Sequence, residues 1–248
     1  METKNPALGS KVVEQFRRAG QVAGGEPMTV EGAVNKTAFL LLLVVVPATW
    51  VWSQLLAGDI ATVMPWMIGG VIGGFITAMV TIFKKEWAPV TAPIYAALEG
   101  LAIGGLSAIF ETQYHGIVLQ AVALTFATLC CMLLAYRSGL IKVTDKFRMG
   151  VVAATGAIAL VYVVSLVLSL FHVNVGFLNQ GGTLGLVISG VIVTVAALNL
   201  VLDFDFIDQA VGVGAPKYVE WYAAFGLMVT LIWLYMEILR LLSKMRRR

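Results

Sequence analysis

The stretch Ala197–Leu242, ALNLVLDFDFIDQAVGVGAPKYVEWYAAFGLMVTLIWLYMEILRLL, decides how the rest of the chain is read. An apolar run leads into Asp203, Asp205 and Asp208. A turn holding Gly212, Gly214 and Pro216 follows, and a second apolar segment then carries many aromatics and Glu237 towards a basic tail. Carboxylates beside an apolar helix are expensive in a bilayer and cheap in water, so their placement is the functional question.

Composition settles the setting. The 248 residues are 59% hydrophobic and only 12% charged, with a mean hydropathy of +0.89. Soluble domains carry about twice that charged fraction. Seven apolar segments are long enough to span about 30 Å of hydrocarbon at 1.5 Å per residue. They are Thr37–Ala57, Thr62–Phe83, Val90–Phe110, Gly116–Tyr136, Gly150–Phe171, Thr183–Leu202 and Tyr218–Leu241. The fold class is therefore all-α, a polytopic membrane helical bundle of seven transmembrane helices.

Residues 1–36 read as an N-terminal tail, 37–242 as the transmembrane domain and 243–248 as a basic C-terminal tail. The first 35 residues lack the apolar core of a signal peptide. A weakly amphipathic patch (Val12, Val13, Phe16 among Lys11, Arg17, Arg18) reads as a surface helix or a mobile tail. Pro47 should kink the first span. Gly69, Gly70, Gly73 and Gly74 in the second segment, with Gly100, Gly104 and Gly105 in the third, predict close packing of those two helices.

Twelve of the 17 Lys and Arg residues fall in the N-tail and in loops two–three, four–five and six–seven. The alternate loops hold none, so that basic side is expected to be cytoplasmic in the plasma (inner) membrane, with the N-terminus inside. Arg240, Lys244 and Arg246 to Arg248 break the pattern if the last segment crosses; a re-entrant segment would keep them inside. Seven crossings are expected, because the earlier loops dominate orientation. Trp50, Trp52 and Trp66 fall near the outer rim, and Trp87, Tyr136, Trp221 and Tyr222 near the inner one.

The sequence carries no HExxH, phosphate-cradling loop, nucleophile elbow or Cys/His metal spacing, so no enzyme is expected. The small charge excess gives no reason to expect nucleic acid as a partner. Adjacent Cys130 and Cys131 point in different directions on a helix and read as small apolar residues. His115 and His172 read as interfacial.

The carboxylates carry the chemistry. Glu99 lies ten residues past Pro89, about 15 Å deep at helical rise. It reads as a functional group, or as a protonated glutamate tying two helices. Asp203 lies near the inner interface, wetted by headgroup water, or about 14 Å from the helix end if the helix continues to Gly212. Asp205 and Asp208 read as solvated or as turn caps. Glu237 reads as an ion-binding group or as the partner of Arg240. Glu111 reads as an exposed mouth residue and Glu220 as an inner rim residue. Two carboxylates sharing a low-dielectric site raise at least one pKa and can take up a proton or a hard cation such as Ca²⁺.

MTVEGAVNKT before the first span, YAALEGLAIGG in the third, LNLVLDF in the sixth and APKYVEWYAAFGLMVTLIWLYMEILRLL at the end resemble the Bax inhibitor (YccA-like) family, in its longer bacterial branch. The resemblance covers about Met28 to Leu242. It implies seven helices with the last one central, and a pH-sensitive Ca²⁺ leak governed by two hydrogen-bonded aspartates on helices six and seven. Eukaryotic members are linked to suppression of cell death and some bacterial ones to membrane proteolysis. Asp203 matches the helix-six aspartate. Thr230 stands where the second aspartate belongs, and Glu237 where relatives are uncharged. Glu99 stands where relatives often carry a small polar residue, so a Glu99/Asp203 pair is the expected replacement.

Two functions are thus expected. One is a cation (Ca²⁺/H⁺) leak channel or exchanger using Asp203, Glu99, Thr230 and Glu237, with Asp205 and Glu111 as lesser candidates. The alternative is a non-transporting regulator that binds other membrane proteins. No resident cofactor is expected, and Ca²⁺ enters as transported ion.

Overall fold

The computed structural model describes residues 26–58, 60–171 and 183–247. Among them are seven α-helices and no strand: α1 (Val30–Leu56), α2 (Ile60–Phe83), α3 (Ala88–Gln113), α4 (Ile117–Arg137), α5 (Asp145–Leu170), α6 (Thr183–Gly212) and α7 (Val219–Arg246). All seven are long and apolar enough to cross a membrane. Large apolar side chains such as Leu42, Val46, Phe75, Leu160 and Leu166 stand more than half exposed, as lipid-facing residues do. Burial is concentrated in α7, followed by α6 and α3, and the other four helices are mostly exposed along their length. The last helix is the most buried of the seven. The amphipathic patch at residues 11–18 and His172 lie outside the described residues.

Two helices extend well beyond their apolar cores. α1 starts at Val30 rather than Thr37, because Thr29 caps it: its hydroxyl accepts the Gly32 N–H at 2.9 Å. Residues 30–36, read as tail, are thus its first two turns. α6 continues through the aspartates to Gly212 and closes in a Schellman motif. There the Ala215 N–H reaches the Ala210 carbonyl at 3.0 Å, the Gly214 N–H reaches Val211 at 3.0 Å, and Gly214 has φ +66°. Backbone geometry therefore caps the turn. Asp205 accepts from Gln209 Nε2 at 2.6 Å, one turn on in α6, and Asp208 is exposed.

The chain divides into two compact units, Met1–Ile109 with Asp205–Met228, and Phe110–Phe204 with Val229–Arg248. In the first, the glycines do more than join α2 to α3. Gly70 does face α3, where a Cβ would lie 2.6 Å from the Leu98 carbonyl oxygen. Gly100 and Gly104 instead face α1, against Val44, Pro47 and Ala48. The expected close packing of α2 on α3 is found at Gly70, Gly73 and Gly74, with Gly105 of α3 against Met67 of α2, while Gly100 and Gly104 bring α3 onto α1 as well. Trp50 and Trp66 meet edge to face at 6.0 Å. Thr81 and Thr91 share a buried hydroxyl bond at 2.7 Å between α2 and α3.

In the second unit, Asn199 of α6 donates to Thr155 of α5 at 2.8 Å. Glu111 is half-buried rather than an exposed mouth residue, and its carboxylate accepts the backbone N–H groups of Gly116 and Val118. Gly116, the N-cap of α4, has no side chain to offer, so Glu111 supplies the cap from the preceding helix. Glu111→Ala is expected to lower stability by about 1 kcal/mol, the usual worth of an N-cap. An unchanged unfolding midpoint in detergent would refute that role.

Candidate ion-responsive site

Because α6 continues to Gly212, Asp203 lies nine residues, or about 14 Å, before the helix end. Asp203 faces Thr230 of α7, whose hydroxyl donates to its carboxylate. Its other oxygen, Oδ2, is buried with no hydrogen-bond partner among the described residues. A buried polar atom left unmatched is uncommon and costly, and it marks a position where a proton or a cation can do what the protein does not. Among the described residues no three His, Cys, Asp or Glu side chains converge as a metal-binding set.

Glu99 lies in the other unit, on α3, and takes the Tyr95 hydroxyl as its donor. Tyr95 is itself held edge to face against Phe225 of α7 at 5.1 Å. Opposite, on α2, Gly74 leaves space for the carboxylate: a Cβ there would come within 3.2 Å of Glu99 Oε2. Glu99 and Asp203 each find a partner within their own unit.

Glu237 does pair with Arg240, at 2.9 Å, and is 2% exposed. Tyr162 of α5 completes a triangle: its hydroxyl donates to Glu237 at 2.8 Å and accepts from Arg240 at 3.0 Å. Its ring also lies 5.2 Å from the guanidinium carbon. Thr230, Glu237 and Lys244 recur every seven residues and so share one face of α7.

Glu220, at the start of α7, is fully buried. Its carboxylate accepts the Thr29 backbone N–H at 2.8 Å and the Thr29 hydroxyl at 3.2 Å, pairs with Lys36, and lies 3.6 Å from Lys217. In a capping box the residue three past the N-cap reaches back to the N-cap N–H. Here that residue is Gly32, and a carboxylate from α7 does the work instead. A Cβ on Gly32 would strike the Glu220 carboxylate. The signal was present in MTVEGAVNKT: a capping threonine followed by glycine where glutamate is usual. The same junction is sealed by the Met28 N–H on the Ala215 carbonyl at 2.8 Å and by an apolar cluster that includes Met28, Ala33, Ile207 and Val219.

A family model described as Bax inhibitor 1 like matches residues 5–247. Neither the curated proteins nor the solved structures yield a match.

Proposed function

Because the chain belongs to the Bax inhibitor 1 like family, we propose that it is a pH-sensitive leak channel or exchanger for Ca²⁺ and H⁺, gated by carboxylates inside the membrane. The observation that carries this reading is the unmatched Oδ2 of Asp203 beside the Thr230 hydroxyl. Where the family places two aspartates, this chain offers one carboxylate and one neutral donor. A proton on Asp203 removes its charge and turns it from acceptor into donor, so its hold on α7 changes with protonation. Glu99 is the second carboxylate of the mechanism, positioned by Tyr95, and Glu237 a third polar stop on the same α7 face as Thr230.

The test is Ca²⁺ flux into proteoliposomes between about pH 6 and 8. Wild-type protein is expected to show flux that varies with pH. Asp203→Asn and Glu99→Gln should each flatten that profile. Folded protein with no flux above empty liposomes at any pH would sink the transport reading.

The regulator reading has its own support. Glu111, Glu220 and Glu237 are all engaged in bonds that hold helices or their ends together. A bundle that uses its acids as internal ties needs no ion to justify them. Absence of flux, together with retention of a membrane-protein partner on the intact chain, would favour it.

A further inference from the structure

The C-terminal end of α7 lies beside the α3–α4 turn. Arg246 donates to the His115 carbonyl oxygen at 2.7 Å and to Gln120 Oε1 at 3.0 Å, and Arg247 Nε to the Tyr114 hydroxyl at 3.1 Å. One turn earlier, Lys244 donates to the Ser189 hydroxyl at 2.8 Å, near the start of α6. The basic end of the chain is therefore beside the basic-free α3–α4 turn, at the other end of α4 from Arg137 and the basic residues of the α4–α5 loop. That placement runs against the positive-inside rule.

The acceptors named for Lys244, Arg246 and Arg247 are all neutral oxygens. They fix the side chains in place and leave three positive charges close together. The acids nearby are committed elsewhere, Glu237 to Arg240 and Tyr162, and Glu111 to the backbone at Gly116 and Val118. At the opposite end of α7 the situation is reversed, since Lys36 and Lys217 share the buried Glu220. Arg246 and Arg247 are exposed. Each guanidinium has five N–H donors in a fork that fits phosphate oxygens, and only some are used internally. Tyr114 beside them is an aromatic of the kind enriched where headgroups lie.

We infer that the outer end of α7, at Lys244, Arg246 and Arg247, binds the headgroup of an anionic phospholipid. Charge complementarity selects that occupant. A zwitterionic headgroup brings its own cation to the site, whereas an anionic one leaves its phosphate charge uncompensated. Each nearby Lys or Arg contributes severalfold to such binding, so loss of two should weaken it by about tenfold or more.

The experiment is a thermal-shift titration of the full chain in detergent with short-chain phosphatidylglycerol, phosphatidylcholine or soluble glycerol phosphate. Phosphatidylglycerol is expected to raise the unfolding temperature, and the other two to leave it unchanged. Arg246→Gln with Arg247→Gln should shift the phosphatidylglycerol midpoint by about tenfold or more. Lys142→Gln with Lys146→Gln, which removes the same charge from the α4–α5 loop, should not. Arg246→Lys with Arg247→Lys keeps the charge and should retain most of the response, which separates charge from any loss of folding in the glutamine variant. Three results would overturn the assignment. They are an equal response to phosphatidylcholine, a full phosphatidylglycerol response in the arginine-to-glutamine variant, and stabilisation by glycerol phosphate matching that of the lipid.

Discussion

Lys36→Met is expected to destabilise the protein by about 2–3 kcal/mol, and Glu220→Gln by only about 1 kcal/mol. The asymmetry follows from what each change leaves behind. Glu220 has no exposed surface, so removing Lys36 strands a buried carboxylate with the Thr29 donors and a Lys217 amine 3.6 Å away. Lys36, at 18% side-chain exposure, already touches solvent, and the Lys217 side chain is 48% exposed. When Glu220 becomes glutamine both amines can turn to water. The amide oxygen still accepts the Thr29 N–H, so the cap of α1 survives.

The two changes are therefore expected to be strongly non-additive. A protein carrying both has no buried charge, and should be more stable than Lys36→Met alone. Unfolding followed in detergent for the wild type, both single variants and the double variant closes the cycle. Additivity within about 0.5 kcal/mol would show that Lys36 and Glu220 do not act as a pair. Gly32→Ala attacks the same clasp from the other side. Its Cβ meets the Glu220 carboxylate, so the capping contact to Thr29 is displaced rather than neutralised.

Glu220 also shows where sequence reading stops. Its position at the start of an apolar segment, after Lys217, looks like that of any interfacial acid. Burial depends on Met28 and Thr29 crossing the α6–α7 turn, a contact between residues 191 apart. Periodicity carries no information at that separation. What composition and local spacing control is legible: seven spans and the Glu237–Arg240 pair one turn apart. The resemblance aligns Thr230 with the family's second aspartate, whereas the contact of Asp203 with Thr230 itself comes from the structure. Helix ends were less legible, because Thr29 and the Gly214 turn extend α1 and α6 through polar residues that hydropathy assigns to loops. Glu111 was misread for the same reason, since its partner is a backbone cap and not solvent.

The glycines of α3 give the second large effect. Gly104→Val is expected to disrupt the first unit, with a loss above the usual 1–3 kcal/mol for overpacking. A Cβ at Gly104 would lie 2.6 Å from Ala48 Cα and 2.9 Å from Ala48 C. These are backbone atoms of α1, which cannot rotate aside as a side-chain tip can. Relief requires the whole helix to move. Gly100 presents the same obstacle one turn earlier, 2.6 Å from Pro47 Cγ and 3.0 Å from Val44 C. Close approach of two backbones is what small residues make possible in a membrane, where no hydrophobic force presses the helices together. Gly69 is the control. It belongs to a Gly-Gly pair that looks equivalent in sequence, yet a Cβ there meets nothing within 4 Å. Gly69→Ala should be neutral or stabilising by up to about 1 kcal/mol through helix propensity, whereas Gly70→Ala meets the Leu98 carbonyl oxygen at 2.6 Å and should destabilise. Unfolding midpoints for the three variants decide the matter. If Gly69→Ala and Gly70→Ala behave alike, the α2–α3 contact is not backbone-close. If Gly104→Val matches wild type, α1 does not rest on α3 at Ala48.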